Sequence, residues 1–140
     1  MIEVKIKLLT TTAKLPQRGS TEAAGYDLYA DRIEESENTL IVYTGIAIQL
    51  PRGYCGLIMP RSSIVHTGLQ LGNSVGLLDS DFTGEVRCVF YKKQFSKAYE
   101  VGNRVAQLVV LKLPEINLTK VEFLESTDRG EAGFGSTGGY

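Results

Sequence analysis

The run Thr39-Leu40-Ile41-Val42-Tyr43-Thr44-Gly45-Ile46-Ala47-Ile48-Gln49-Leu50-Pro51-Arg52-Gly53-Tyr54-Cys55-Gly56-Leu57-Ile58-Met59 decides the fold. It is rich in β-branched and aromatic residues, and glycine and proline cut it into short pieces. Thr39–Tyr43, Gly45–Leu50 and Tyr54–Met59 are strand candidates, with Pro51-Arg52-Gly53 as a turn. Outward from this centre the pattern repeats. Ile2, Val4, Ile6 and Leu8 alternate with Glu3, Lys5 and Lys7, placing one apolar and one polar face on a strand. Glu85–Tyr91 and Arg104–Leu113 read as further strands, with a last short one around Val121–Leu124. No segment carries a sustained helical stripe; at most Ser62–Thr67 forms one short helix, with a serine available to cap it. Short strands between turns predict an all-β domain: a sandwich, jelly roll or barrel.

The chain has 140 residues, enough for one domain with its own core, and no linker or repeat divides it. Hydrophobic residues are 43% and charged residues 22%, with a net charge of −1. Such a balance gives no field of one sign that would point to DNA, RNA or a membrane. Cys55 and Cys88 lie in apolar runs without CxxC spacing and read as buried free thiols. The alternating N-terminus is no signal peptide, and nothing approaches the ~20 apolar residues of a membrane span. A soluble intracellular location, cytoplasm or nucleus, is the expectation.

From Ser126 to Tyr140 the composition shifts to Gly, Ser, Thr and Asp. Such a tail cannot order itself alone. It is either a disordered end or an arm that orders on a ligand or a neighbouring subunit. Its Gly133-Phe134-Gly135-Ser136-Thr137-Gly138 matches GxGxxG, but a dinucleotide fold needs a helix next, and only Gly139 and Tyr140 follow. What survives is local: small residues let backbone N–H groups converge on an anion, and Arg129 can add a charge-assisted bond. Phe134 could anchor the tail on a protein surface or stack on a nucleobase.

Three further clusters can carry chemistry. Pro60-Arg61-Ser62-Ser63 ends a strand with phosphate-binding groups, although Arg-Ser-Ser is also common in solvated turns. In Gly76-Leu77-Leu78-Asp79-Ser80-Asp81-Phe82-Thr83-Gly84-Glu85, an extended backbone would point Asp79 and Asp81 the same way. The pair then reads as a water-activating base with a partner, or as an Asx-type turn. Gly102-Asn103-Arg104-Val105-Ala106-Gln107 could lend polar groups to a pocket or make structural hydrogen bonds. His66, the single histidine, reads as a surface residue.

In order, these segments resemble the five motifs of the trimeric dUTPases, the deoxyuridine triphosphate nucleotidohydrolases. Ala24-Gly25-Tyr26-Asp27-Leu28-Tyr29-Ala30 is similar to the first, Pro60–Ser63 to the second and Gly76–Glu85 to the third. Gly102–Gln107 is similar to the fourth and Arg129–Gly138 to the fifth. The resemblance implies a β jelly-roll domain over residues 1–125 and a flexible arm over 126–140. It implies a homotrimer whose sites each draw on several subunits, and hydrolysis of dUTP to dUMP and pyrophosphate. That activity keeps uracil out of DNA and supplies dUMP for dTMP synthesis.

The resemblance also implies roles. Asp79 would activate water against the α-phosphorus. Arg61, Ser62 and Ser63 would hold the phosphates, and Gln107 would contact phosphate or place the water. Arg129, Gly135, Ser136 and Thr137 would clamp the γ-phosphate. Asn73 and Gly76, in the hairpin Leu71–Gly76, would read uracil, with Phe134 stacked over it. Mg2+ would sit mainly on the triphosphate, reached by Asp27 through water, with Asp81 as a second candidate. Phe82 departs from the family's usual Tyr; it keeps an apolar face for deoxyribose but lacks the phenol.

Two rivals remain on this fold. A dCTP deaminase would carry a catalytic glutamate where this chain has Val89, counted from Gly84. A nucleotide-binding regulatory or interaction protein would not need Asp79, Gln107 and the full tail together.

Overall fold

The longest strand forms where β-branched residues are densest. In the computed structural model, which describes residues 1–138, Thr39–Gln49 is one strand, β5. Leu40 and Val42 point into the core, while Ile41 and Tyr43 are half-buried on the other face. After Tyr43 the register shifts, and Gly45 takes φ +67°. The expected break between Tyr43 and Gly45 is therefore a bulge that bends a continuous strand. The bulge is closed by hydrogen bonds: the Gly45 N–H donates to Glu85 Oε1 at 3.0 Å, and the Thr44 hydroxyl to the Val86 carbonyl at 2.7 Å.

The other strands are β1 (Lys5–Leu8), β2 (Gln17–Arg18), β3 (Tyr26–Tyr29), β4 (Arg32–Glu35), β6 (Tyr54–Pro60), β7 (Leu69–Leu71), β8 (Gly76–Leu78), β9 (Glu85–Lys92) and β10 (Arg104–Lys112). They form two antiparallel sheets, β1-β5-β9-β7 with β4 also on β5, and β2-β3-β10-β6-β8. The fold is an all-β, jelly-roll-like sandwich. Between the sheets lie Phe90, Leu28, Leu40, Val42, Ile46, Ile48 and Val105, all fully buried. Each such large side chain contributes roughly 1.5–3 kcal/mol. Cys55 and Cys88 are buried free thiols, and burial pushes the Cys88 thiol up to about 12, so it stays neutral.

Several expectations change. The first strand is confined to Lys5–Leu8, with Ile2 and Leu8 exposed, because it is an edge strand bonded to β5 alone. The short helix is a 3-10 turn over Ser62–His66. Arg61 holds its N-cap position in extended backbone, and no serine side chain caps it. Val121–Leu124 forms no strand. Past Lys112 the described chain carries no regular structure, and every residue from 113 to 132 is exposed, so no neighbouring strand meets it.

The second sheet positions the site. Gln107 of β10 lies between Asp27 of β3 and Met59 of β6. On the far edge, Gly56 of β6 pairs with Leu78 of β8. Arg61 leaves one end of β6 and Asp79 lies beside the other, roughly 20 Å apart along the strand at its usual rise per residue.

Candidate active site

At the Arg61 end, Tyr29, Arg61, Ser63, Tyr99, Gly102, Asn103 and Arg104 line a cavity of about 480 Å3. Beneath it Asp27 is buried and paired twice. Arg61 Nε donates to Oδ1 at 3.0 Å, and Arg104 Nη1 donates to Oδ2 at 3.3 Å. One buried carboxylate thus fixes two guanidiniums. Arg61 also reaches the Ser63 hydroxyl at 3.4 Å. A guanidinium has five N–H donors, so both arginines keep donors free for phosphate oxygens. Gln107 crosses the sheet to donate from Nε2 to the Pro60 carbonyl at 3.2 Å. Gly25 leaves room for it, since a Cβ there would lie 2.7 Å from Gln107 Oε1.

At the other end, a cavity of about 280 Å3 is lined by Asn73, Gly76, Asp79, Phe82 and Arg87 over an apolar floor of Ile58, Leu71 and Leu78. Its size is near the ~300 Å3 lower bound for ligand pockets. The β7–β8 hairpin is tight: the Ser74 N–H donates to the Leu71 carbonyl at 3.0 Å, and Ser74 adopts φ +61°. A Cβ on Gly76 would stand 3.1 Å from the Ile58 Cβ and 3.3 Å from Asn73 Nδ2, so glycine keeps the mouth open. Phe82 lies against Gly84, where a Cβ would meet its ring at 2.7 Å.

Asp79 opens a turn closed by Phe82 N–H donating to its carbonyl at 3.2 Å. The backbone from 79 to 82 is therefore a turn rather than an extended run. Asp79 lines the small cavity and also a second one of about 700 Å3, whereas Asp81 lines only the latter, with Arg52 and Tyr54.

Ser62 sits exposed in the first turn of the 3-10 helix, and His66 is exposed at its end. The arm carries Arg129, Phe134, Gly135, Ser136 and Thr137, and its hydrogen bonds among the described residues are local, such as Arg129 Nε to the Ala132 carbonyl at 2.9 Å. Phe134 is fully exposed at φ +51°. The fold thus brings Asp27, Arg61, Ser63 and Gln107 together past the Pro60 end of β6, and Asn73, Gly76, Asp79 and Phe82 around one cavity along β8, with Gly76 opposite Ile58 and Asp79 beyond Leu78. Within one chain it brings neither group to the arm.

The cavity also takes in Arg104, which lies in the fourth segment but is given no role of its own there, and Tyr99, which lies in none of the segments. Arg104 had a signal, a cation opening a strand beside polar motif residues. Tyr99 had none, because it reaches the cavity through a long loop. Val89 points outward from β9, 41% exposed, and offers no carboxylate. Among the described residues no three His, Cys, Asp or Glu side chains cluster as a metal site, and no helix is long and apolar enough to cross a membrane.

The chain is 42% identical to the deoxyuridine 5'-triphosphate nucleotidohydrolase of Kluyveromyces lactis, covering 96% of this chain and 93% of that one. It is 41% identical to the enzyme of the same name from Saccharomyces cerevisiae, over 96% and 94%. In three dimensions it is similar to the Staphylococcus bacteriophage 80alpha dUTPase with dUpNHpp, at TM-score 0.82 and 27% identity, covering 97% of this chain and 98% of that one. The family model for dUTPase matches residues 11–138, and this chain belongs to the dUTPase family.

Proposed function

We propose that this chain hydrolyses dUTP to dUMP and pyrophosphate. The observation that carries the reading is the small cavity of Asn73, Gly76 and Phe82 with Asp79 at its mouth. The Asn73 amide and the hairpin backbone meet the O2, N3–H and O4 edge of uracil. Cytosine reverses the pattern at N3 and at its exocyclic amine, leaving groups unpaired at about 1–3 kcal/mol each. Phe82 packs on the deoxyribose. Asp79 takes a proton from water as its oxygen bonds to the α-phosphorus, and pyrophosphate leaves from the opposite side. Negative charge grows on the α–β bridging oxygen, where donors from Arg61, Ser62, Ser63 and Gln107 stabilise the transition state selectively. Arg129, Gly135, Ser136 and Thr137 close on the γ-phosphate, with Phe134 over the base.

Mg2+ fits the Asp27 end without a protein cage. Each Asp27 oxygen accepts one guanidinium bond and keeps capacity for another donor, so the residue can hold a metal-bound water. When bound, the ion would supply charge neutralisation to the triphosphate. The chain's own part there is to hold the arginines and that water.

The active form in this reading is a homotrimer. In one chain Arg61 and Asp79 lie roughly 20 Å apart along β6, too far to act on one α-phosphorus, so in this reading they meet across a subunit contact. Ile116, Leu118, Phe123 and Leu124, each at least 73% exposed, supply apolar surface for that contact. A binding-only role has no specific observation in its favour. The test is pyrophosphate release from dUTP, dCTP, dTTP and UTP with Mg2+. The reading expects dUTP to exceed each of the others by at least about 100-fold in kcat/KM. Equal turnover of dCTP and dUTP would reject it.

A further inference from the structure

Tyr99 lies outside every motif, yet it lines the same cavity as Arg61, Ser63 and Arg104. Its ring meets the buried Phe90 edge-on, with centroids 5.4 Å apart and planes at 65°. Its hydroxyl is buried and has no hydrogen-bond partner among the described residues. A buried phenol normally finds a partner for its polar tip, and leaving it unpaired costs free energy.

The loop cannot relieve this by swinging out, because its backbone is pinned on both sides of Tyr99. The Lys97 N–H donates to the Thr67 carbonyl at 2.7 Å, tying the loop to the end of the 3-10 helix that carries Ser62 and Ser63. The Ser96 hydroxyl adds a bond to the Gly68 carbonyl at 2.9 Å. On the other side, the Gly102 N–H donates to the Ala30 carbonyl at 2.7 Å and the Glu100 N–H to Asn103 Oδ1 at 2.9 Å. Burial raises the phenol above its ordinary pKa, with the nearby Arg61 charge opposing, so the group stays a neutral O–H at working pH. Arg61 uses Nε on Asp27 and Nη1 on Ser63, which leaves Nη2 uncommitted.

We infer that Tyr99 is a positioning residue for Arg61: when a triphosphate enters the cavity, the phenol oxygen accepts an N–H of the guanidinium and holds its fork toward the phosphate oxygens. The inference rests on the reading of this cavity as the phosphate site. It gives the loop of residues 93–103 a task, since the strap that orders the serines also sets the arginine.

Tyr99→Phe removes the hydroxyl and keeps the ring on Phe90. Binding of dUpNHpp and of dUMP is measured by calorimetry, with kcat and KM for dUTP alongside. The expected result is a rise of about fivefold in the dUpNHpp Kd and a fall of at least about fivefold in kcat/KM, with dUMP binding within twofold. In an Arg61→Gln background the same substitution should add nothing, because the two groups act as one unit. If Tyr99→Phe binds dUpNHpp like wild type while Arg61→Gln weakens it, Tyr99 has no such role. An undiminished effect of Tyr99→Phe in the Arg61→Gln background also overturns it. If Arg61→Gln itself leaves dUpNHpp binding unchanged, the phosphate reading of the cavity fails, and the inference with it.

Discussion

Asp27 and Asp79 both lie in the β2-β3-β10-β6-β8 sheet or at its edge, and their surroundings give them different tasks. Asp27 is buried and held at 3.0 and 3.3 Å by two arginines, so it serves as an anchor for both guanidiniums. Asp79 is exposed at a turn, with its carboxylate free to meet water. The sequence shows two acids near strand ends; the pairing that separates them depends on Arg61 and Arg104, brought in from 34 and 77 residues away. That distance is why the pairing of Arg104 with Asp27 goes unread. Phe82 is the residue where local chemistry allows a sharp expectation. Its ring already fills the contact with Gly84, and a phenol would add one polar group at a half-exposed rim. Phe82→Tyr should change kcat and KM by less than about tenfold, one charge-free hydrogen bond at most. Steady-state kinetics check it, and a larger change would mean that the sugar is seated elsewhere.

At the scale of elements, alternation locates most of the strands, because one face of each is buried. It does not locate bulges or turns. Gly45 looks like a strand breaker but is the hinge of a single strand, with its carbonyl accepting from Leu9 at 2.8 Å and its N–H spent on Glu85. Likewise Asp79–Phe82 reads either as extended or as an Asx-type turn by composition, and a hydrogen bond selects the turn. Val121–Leu124 has strand composition without a neighbouring strand in this chain, and composition alone does not supply one. Gly45→Ala tests the hinge. The new Cβ would meet Asp31 Oδ2 at 2.7 Å and the Ala13 Cβ at 2.8 Å, on a backbone at φ +67°. Loss of roughly 2–3 kcal/mol is expected in urea unfolding, from strain plus overpacking. A loss under about 0.5 kcal/mol would show that the bulge relaxes freely.

For the whole molecule, the feature that matters is the separation of Arg61 and Asp79 along β6, with an arm that reaches neither within its own chain. The five motifs are legible in the sequence, but nothing in their order says that one chain holds them apart; that follows from β6–β8 pairing Gly56 with Leu78. Removing residues 126–140 should leave the unfolding midpoint unchanged, since the described part of the arm is exposed and bonds within itself. It should lower kcat for dUTP by about 100-fold or more, the usual cost of losing transition-state donors. Thermal melts and initial rates on the truncated protein check both halves; full activity without the arm would remove it from the site.

The most direct measurement is pyrophosphate release from dUTP with Mg2+ by wild type and by Asp79→Asn, with dUpNHpp affinity measured on both. The amide keeps the size of the side chain and removes its basicity. Turnover should fall by about 10²- to 10⁴-fold, the contribution of a positioned base, while analogue binding stays within about threefold. Asp79→Asn turning over dUTP at the wild-type rate would contradict the account.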